Sequence, residues 1–309
     1  MLGKPVVIFL RMGFGLLGAI AITIAPAPSR GEGGVSTAQA NVRVLPPLQM
    51  KSLPRTRTLR LYLPASYAEH KERRYPVIYM HDGQNLFDQA TSYAGEWCVG
   101  ESMNALARRY GFEAIVVGID HGGSMRAQEF VPWPDPHFAV SEGAPYLAFV
   151  MDTVKPWIDG HYRTQPDRAH TAMIGSSLGG LITHYAMTHY PDAIGKVAIF
   201  SPSYFISDRI FKETAAHPWP SDTRAYLYIG GRESLDGEPG AVENVPDVER
   251  MATVLQNQTP RLTNLTLHID PLGHHGEAAW RTEFPRAVAW LFELPGADAA
   301  SMTAASGCH

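Results

Sequence analysis

Cysteine is nearly absent from this chain: 309 residues carry two, Cys98 and Cys308. That count excludes a fold stapled by several disulfides, and Cys98 reads as a semi-buried thiol. Metal-ligand spacing is lacking as well. The thirteen histidines are scattered apart from His274-His275, and no His/Cys or His/Glu cluster forms. No metal and no cofactor is therefore expected. Basic excess is missing, with a formal net charge of −4, which argues against a nucleic-acid partner. No internal repeat or Pro/Gly-rich linker interrupts residues 41–296, so one domain is expected there.

The two ends differ from this body. Lys4 and Arg11 are the only charges before Arg30, an apolar run covers residues 12–25, and a small-residue segment ends at Ala38-Gln39-Ala40. Charged start, apolar stretch and Ala-x-Ala site read as a signal peptide over residues 1–40. Cleavage near Ala40 would start the mature chain at Asn41 and export it to the periplasm or beyond, with no stable membrane association. The alternative is an uncleaved anchor, since residues 6–25 are nearly long enough to span, though Arg11 interrupts them. Residues 297–309 are small and polar and read as a disordered tail.

Between the ends, short apolar runs alternate with segments of helical periodicity. Strands are expected near residues 59–63, 76–80, 114–118, 171–174, 196–200, 224–229 and 265–269. Helices are expected near 100–109, 144–158, 178–190, 248–255 and 277–294. Continuous apolar runs are the mark of parallel strands buried on both faces. The fold class is α/β, a mostly parallel central sheet with helices on both faces. Ligands of such sheets bind at the carboxyl ends of the strands.

The chemistry concentrates at those ends. Thr171-Ala172-Met173-Ile174 runs into Gly175-Ser176-Ser177-Leu178-Gly179, and Leu181, Ile182, Tyr185 and Ala186 follow at helical spacing. Strand, Gly-x-Ser-x-Gly and helix are the context of a nucleophile elbow. The small flanking residues keep strand and helix apart, so that Ser177 stands exposed, and the Leu178 amide opens a helix where an oxyanion is stabilised. A serine needs a base to take its proton, and the base needs an acid to orient it. In α/β-hydrolases the chain order is serine, acid, histidine. Here the 224–229 strand runs into Gly230-Gly231-Arg232-Glu233, and the last strand precedes Gly273-His274-His275-Gly276-Glu277. The order is right. Glu233 and Asp236 compete for the acid, and His274 and His275 for the base. His81-Asp82-Gly83-Gln84-Asn85 follows the 76–80 strand and is the loop to supply a second oxyanion donor, the Gln84 amide. Gly83 would let backbone approach substrate closely, and Asp82 would tie the turn to nearby backbone amides.

The stretch Tyr75-Pro76-Val77-Ile78-Tyr79-Met80-His81-Asp82-Gly83-Gln84-Asn85-Leu86-Phe87-Asp88 resembles the signature of the putative-esterase family of α/β-hydrolases. That family includes enterochelin-type siderophore esterases, feruloyl and acetyl-xylan esterases and, more distantly, mycolyl transferases. Gly175-Ser176-Ser177-Leu178-Gly179-Gly180 is similar to its nucleophile motif. His275-Gly276-Glu277-Ala278-Ala279-Trp280 resembles its His-Asn-Glu-x-x-Trp motif, with Gly276 in place of Asn, which favours His275 as base. Gly230-Gly231-Arg232-Glu233 resembles its Gly-x-x-Glu loop and favours Glu233 as acid, with Asp236 the alternative. Arg126 and Glu129 are similar to an Arg-x-x-Glu-Tyr segment of the family. They are candidates to bind a polar substrate group with Asp82 and Gly83, against the plainer reading of a loop-pinning ion pair. Trp133, within residues 130–137, is a candidate pocket wall, and residues 217–220 sit where some relatives carry a small cap. The resemblance implies a serine esterase acting on a small-molecule ester of siderophore, feruloyl, acetyl or small acyl type. An acyltransferase using the same triad and a non-catalytic binding protein on this fold are the alternatives.

Overall fold

A computed structural model describes residues 35–135, 138–233 and 244–295. The segment up to residue 34, which holds most of the expected signal peptide, Asp236, His137 and the tail from residue 296 lie outside these residues.

The apolar runs form the middle of one eight-stranded sheet. Its strands are β1 (Val42–Gln49), β2 (Thr56–Tyr62), β3 (Val77–Met80), β4 (Ile115–Ile119), β5 (Thr171–Ser176), β6 (Lys196–Phe200), β7 (Arg224–Gly230) and β8 (Asn264–Asp270). The order across the sheet is β1-β2-β4-β3-β5-β6-β7-β8. The pairs from β4 to β8 are parallel, while β1 on β2 and β2 on β4 are antiparallel. From β3 the chain moves outward to β4, then returns to β5 on the other side. The crevice between β3 and β5 is therefore the topological switch point, where such sheets bind ligands.

The β1 strand is missed by the sequence reading, and Pro46-Pro47 explain why. Neither proline has an N–H to give a ladder, which confines such a pair to an edge or a bulge. The structure puts β1 at the edge, with its register shifting between Leu45 and Leu48.

The helices are α1 (Val99–Tyr110), α2 (Arg126–Phe130), α3 (Gly143–Phe149), α4 (Lys155–His161), α5 (Leu178–His189), α6 (Arg209–Ala216), α7 (Val245–Gln256) and α8 (Glu277–Leu291). The single helix expected at 144–158 is α3 and α4 joined by a π-helical turn, Val150–Val154, just ahead of Pro156. A proline cannot complete the regular ladder, and a π turn is one way to absorb that.

Side chains alternate across the pleat, so each strand from β3 to β7 feeds two cores. Val77 and Tyr79 of β3, Ile115 and Val117 of β4 and Met173 of β5 enter one apolar cluster, with residues of α3 to α7. Ile78 and Met80, Val116, and Ala172 and Ile174 enter the other, with Val99 and Met103 of α1 and Phe284 and Val288 of α8. Full burial of one such aliphatic side chain contributes about 1.5–3 kcal/mol, so both helical layers are bound firmly to the sheet. Among the described residues no helix is long and apolar enough to cross a membrane.

Residues just before β1 are tied to this body. Ser36 and Thr37 hydrogen-bond Asp88, and Thr37 Oγ1 also donates to Glu96 and accepts from the Gln89 amide. Gln39 accepts from Asn104 and lies against Gly100 of α1. Cys98, at the start of α1, is disulfide-bonded rather than the free thiol the sequence suggested.

Candidate active site

The turn from β5 into α5 constrains its backbone tightly. Ser177 takes φ 58° and ψ −124°, a left-handed conformation that a non-glycine residue holds only when its surroundings force it. The turn is so tight that a Cβ on Gly175 would sit 2.3 Å from the Gly179 carbonyl oxygen, so position 175 accepts nothing larger than glycine. The Ser177 amide donates to the Phe200 carbonyl at 2.9 Å, and its own carbonyl accepts from Ser203 at 3.2 Å. These bonds pin the nucleophile candidate between β5 and the end of β6.

Three side chains converge on that point from separate strands. His275 Nε2 lies 3.1 Å from Ser177 Oγ, and His275 Nδ1 lies 2.9 Å from Glu233 Oε2. Glu233 follows β7 and His275 follows β8, its neighbour in the sheet, while Ser177 follows β5, with β6 between β5 and β7. Glu233 is buried, and its other oxygen, Oε1, accepts from the Gly230 amide at 2.9 Å and from Ser201 Oγ. Of the two acid candidates Glu233 reaches His275, and Asp236 lies outside the described residues. His274 is exposed, whereas His275 is half-buried. Gly276 has φ 167°, extended backbone open to any residue, and nothing lies within 4 Å of a Cβ there. The asparagine usual at this position would therefore fit.

Across the crevice stands the loop after β3. Asp82 takes the left-handed conformation and opens a short 3-10 turn, Gly83–Asn85. Gly83 packs so closely on the end of β4 that a Cβ would fall 2.6 Å from Asp120 Oδ1. Gln84 is held by its side chain: Nε2 donates to the His121 carbonyl at 3.0 Å, and Oε1 accepts from the His121 amide at 2.9 Å. The amides of Gln84 and Leu178 open helical turns, so neither has an acceptor within its own helix.

The charged residues sort differently from the sequence expectation. Arg126 and Glu129 do not pair with each other. Arg126 binds Asp82 in bidentate fashion, at 2.6 and 2.8 Å, and lies over the Phe130 ring. Burial alone would raise the Asp82 carboxyl, but the guanidinium, by its charge and hydrogen bonds, holds it below the ordinary carboxylate range. Asp82 thus serves Arg126 rather than backbone amides. Glu129 is fully buried and bonded to Arg55 and Arg57, so the structure removes it from the substrate-facing set. Trp133 is likewise buried, edge-on to Tyr185 and under the Arg209 guanidinium, which makes it core rather than an open pocket wall. Trp219, in the expected cap region, is buried and donates to Thr188.

Several partners escape the sequence reading. His81 Nδ1 lies 2.8 Å from the Tyr146 hydroxyl, and burial pushes its pKa down to about 4, so the ring beneath the loop is neutral at neutral pH. Ser203 Oγ lies 3.4 Å from Ser177 Oγ. Ser201 accepts from Trp280 Nε1 at 2.8 Å. Ser201 and Ser203 stand in Ser201-Pro202-Ser203 at the end of β6, and a polar run at a strand's carboxyl end was the available signal. Among the described residues Glu96, Cys98 and Glu101 approach closely enough to hold a metal, but the Cys98 sulfur is committed to its disulfide.

The family model described as "Putative esterase" matches residues 50–291. An uncharacterized protein of Bacillus subtilis (strain 168), YbbA, is 24% identical over 242 residues, covering 76% of this chain and 92% of YbbA. Among solved structures, a ferulic acid esterase superposes with a TM-score of 0.61 at 17% identity, covering 83% of this chain and 99% of that one. The enterochelin esterase of Shigella flexneri superposes with a TM-score of 0.65 at 17% identity, covering 89% of this chain and 64% of that one. These likenesses place the sheet among α/β-hydrolases, and with the family match across most of its length the chain belongs to the putative-esterase family, as a serine esterase that hydrolyses carboxylic esters.

Proposed function

We propose that hydrolysis runs through Ser177, His275 and Glu233, with the amides of Gln84 and Leu178 as the oxyanion hole. The observation that carries this reading is the continuous chain of contacts from Ser177 Oγ to His275 Nε2 at 3.1 Å and from His275 Nδ1 to Glu233 at 2.9 Å. Ser177 Oγ attacks the ester carbonyl while His275 takes its proton, and Glu233 stabilises the imidazolium. The carbonyl oxygen gains charge and is held by the two amides. The tetrahedral intermediate collapses, His275 protonates the leaving alcohol, and an acyl-Ser177 remains. Water, deprotonated by His275, then releases the acid and restores the serine.

For the substrate we favour a neutral feruloyl, acetyl or small acyl ester over an anionic iron chelate of the siderophore type. Arg126, the cation at the loop, is already neutralised by Asp82. We also propose that the protein is exported. The N-terminal charge and hydropathy pattern supports this, and so does Cys98, since disulfides persist in oxidising compartments.

The test is hydrolysis of p-nitrophenyl acetate, methyl ferulate and a cyclic siderophore ester by the protein and by Ser177→Ala. The expected result is turnover of the first two, lost by several orders of magnitude in the variant. Retention of activity by Ser177→Ala would overturn the triad. Preference for the siderophore ester would overturn the substrate reading.

A further inference from the structure

Ser201 is fully buried at the end of β6 and holds φ 45°. Glycine is the residue that occupies this left-handed region without strain, and a serine there needs a compensating interaction. Its hydroxyl supplies two. It donates to Glu233 Oε1 and accepts from Trp280 Nε1 at 2.8 Å. Trp280 in turn lies edge-on to the His275 ring, 5.0 Å between centroids and 82° between planes. Trp280 is itself held, against Trp97, which stacks on Phe200, the residue just before Ser201.

The contacts close a ring. One path runs from His275 to Glu233 to Ser201 to Trp280 through hydrogen bonds, and the last step returns to His275 through the indole edge. Both partners of the His275–Glu233 hydrogen bond are thus braced by Trp280, directly for the imidazole and through Ser201 for the carboxylate. We infer that Ser201 and Trp280 are positioning residues of the esterase, fixing the Glu233 carboxylate and the imidazole plane so that Nε2 stays aimed at Ser177. This rests on the triad reading above. A serine in a glycine-type conformation makes sense if the hydroxyl, rather than the backbone turn, is what the site requires.

That distinction yields the experiment. Ser201→Gly relieves the backbone and removes the hydroxyl, and Trp280→Phe keeps a ring beside His275 but removes the donor. Thermal unfolding and the pH dependence of kcat/KM on p-nitrophenyl acetate are measured for both, beside Ser177→Ala and Glu233→Gln. For Ser201→Gly the expected result is a kcat about 10- to 100-fold lower with KM little changed, the scale on which groups that orient a functional side chain act elsewhere. The acid limb of its pH profile moves to higher pH, because Glu233 loses a donor and becomes the stronger partner of protonated His275. Trp280→Phe shows the same pattern, weaker. Normal kcat and an unmoved acid limb in both variants, with Ser177→Ala and Glu233→Gln inactive, overturn the positioning role and leave the triad standing. The same holds if activity falls only in step with melting temperature. Activity surviving in Ser177→Ala overturns the triad reading itself.

Discussion

The two walls of the crevice are built on opposite electrostatic plans. On the base wall, after β6, β7 and β8, the Glu233 carboxylate is bonded to neutral groups: the Gly230 amide, the Ser201 hydroxyl and the imidazole. On the loop wall, after β3 and β4, position is set by a full ion pair, Asp82 with Arg126, and by the two-bond clamp of Gln84 on His121. The difference follows what each wall has to do. A base must gain and lose a proton, so the charge beside it cannot be cancelled by a fixed cation. An oxyanion donor only has to stay in place, and a bidentate Arg–Asp pair is a rigid way to hold a loop.

The comparison can be broken at either wall. The largest effect belongs to the base wall: Glu233→Gln should lower kcat by about 10³–10⁴-fold, as loss of the orienting acid does in serine triads, with a much smaller change in melting temperature. Steady-state kinetics with calorimetry checks both, and equal activity would mean that Glu233 is a bystander. On the loop wall, Gln84→Ala removes the clamp but keeps the backbone amide. Its kcat should fall by about 10-fold, less than the 10²–10³ seen when an oxyanion donor is lost outright. Arg126→Ala should act on stability first. It leaves the buried Asp82 unpaired, at a cost of about 2 kcal/mol in denaturant unfolding. Arg126→Lys should recover only part of that, because lysine cannot make the bidentate contact.

Proton linkage sharpens the contrast at a smaller scale. His81, under the loop wall, has its pKa pushed to about 4 by burial, and His184, buried between Tyr204 and Thr214, to about 3. Both lie below the ordinary histidine value of about 6.5. The unfolded chain therefore binds protons that the folded one refuses, and stability falls as pH drops below that value. Thermal melts between pH 7.5 and 4 should show this decline beginning before the carboxylates titrate, and a flat melting temperature from pH 6.5 to 5 would contradict it. The smallest expected effect concerns residues 36–39. A chain beginning at Asn41 loses the Thr37 partner of the buried Glu96, and should be about 1 kcal/mol less stable than one beginning at Val35. Equal stability would mean that residues 35–40 contribute nothing measurable to the domain.

Much of this was legible in sequence, for physical reasons that differ by element. Strands β3 to β7 are apolar runs because burial on both faces demands it, so they announce themselves, whereas β8, half-buried along its length at the sheet edge, shows instead as an alternation of apolar and polar residues. Ser177 is legible because an elbow constrains several neighbours at once, and Gly175 is one whose Cβ would collide. Glu233 and His275 are legible through chain order and motif. What sequence does not carry is the choice of partner. Arg126 and Glu129 lie three apart, a spacing that suits an ion pair, yet the fold offers Asp82 to one and Arg57 to the other. Ser201 looks like any polar residue after a strand until the sheet brings it beside Glu233, 32 positions later. Trp133 illustrates the converse error, since an aromatic near a site in sequence is as ready to fill a core as to line a pocket.

The two prolines of β1 bear on how the molecule keeps to itself. An exposed edge strand is a template on which another chain can polymerise, because its free N–H and C=O groups invite a further ladder. At β1 the outer rim is interrupted where Pro46 and Pro47 bring no donors and the pairing slips. A strand arriving from a neighbouring molecule would find no continuous row to extend, so at this rim the sheet ends chemically as well as spatially.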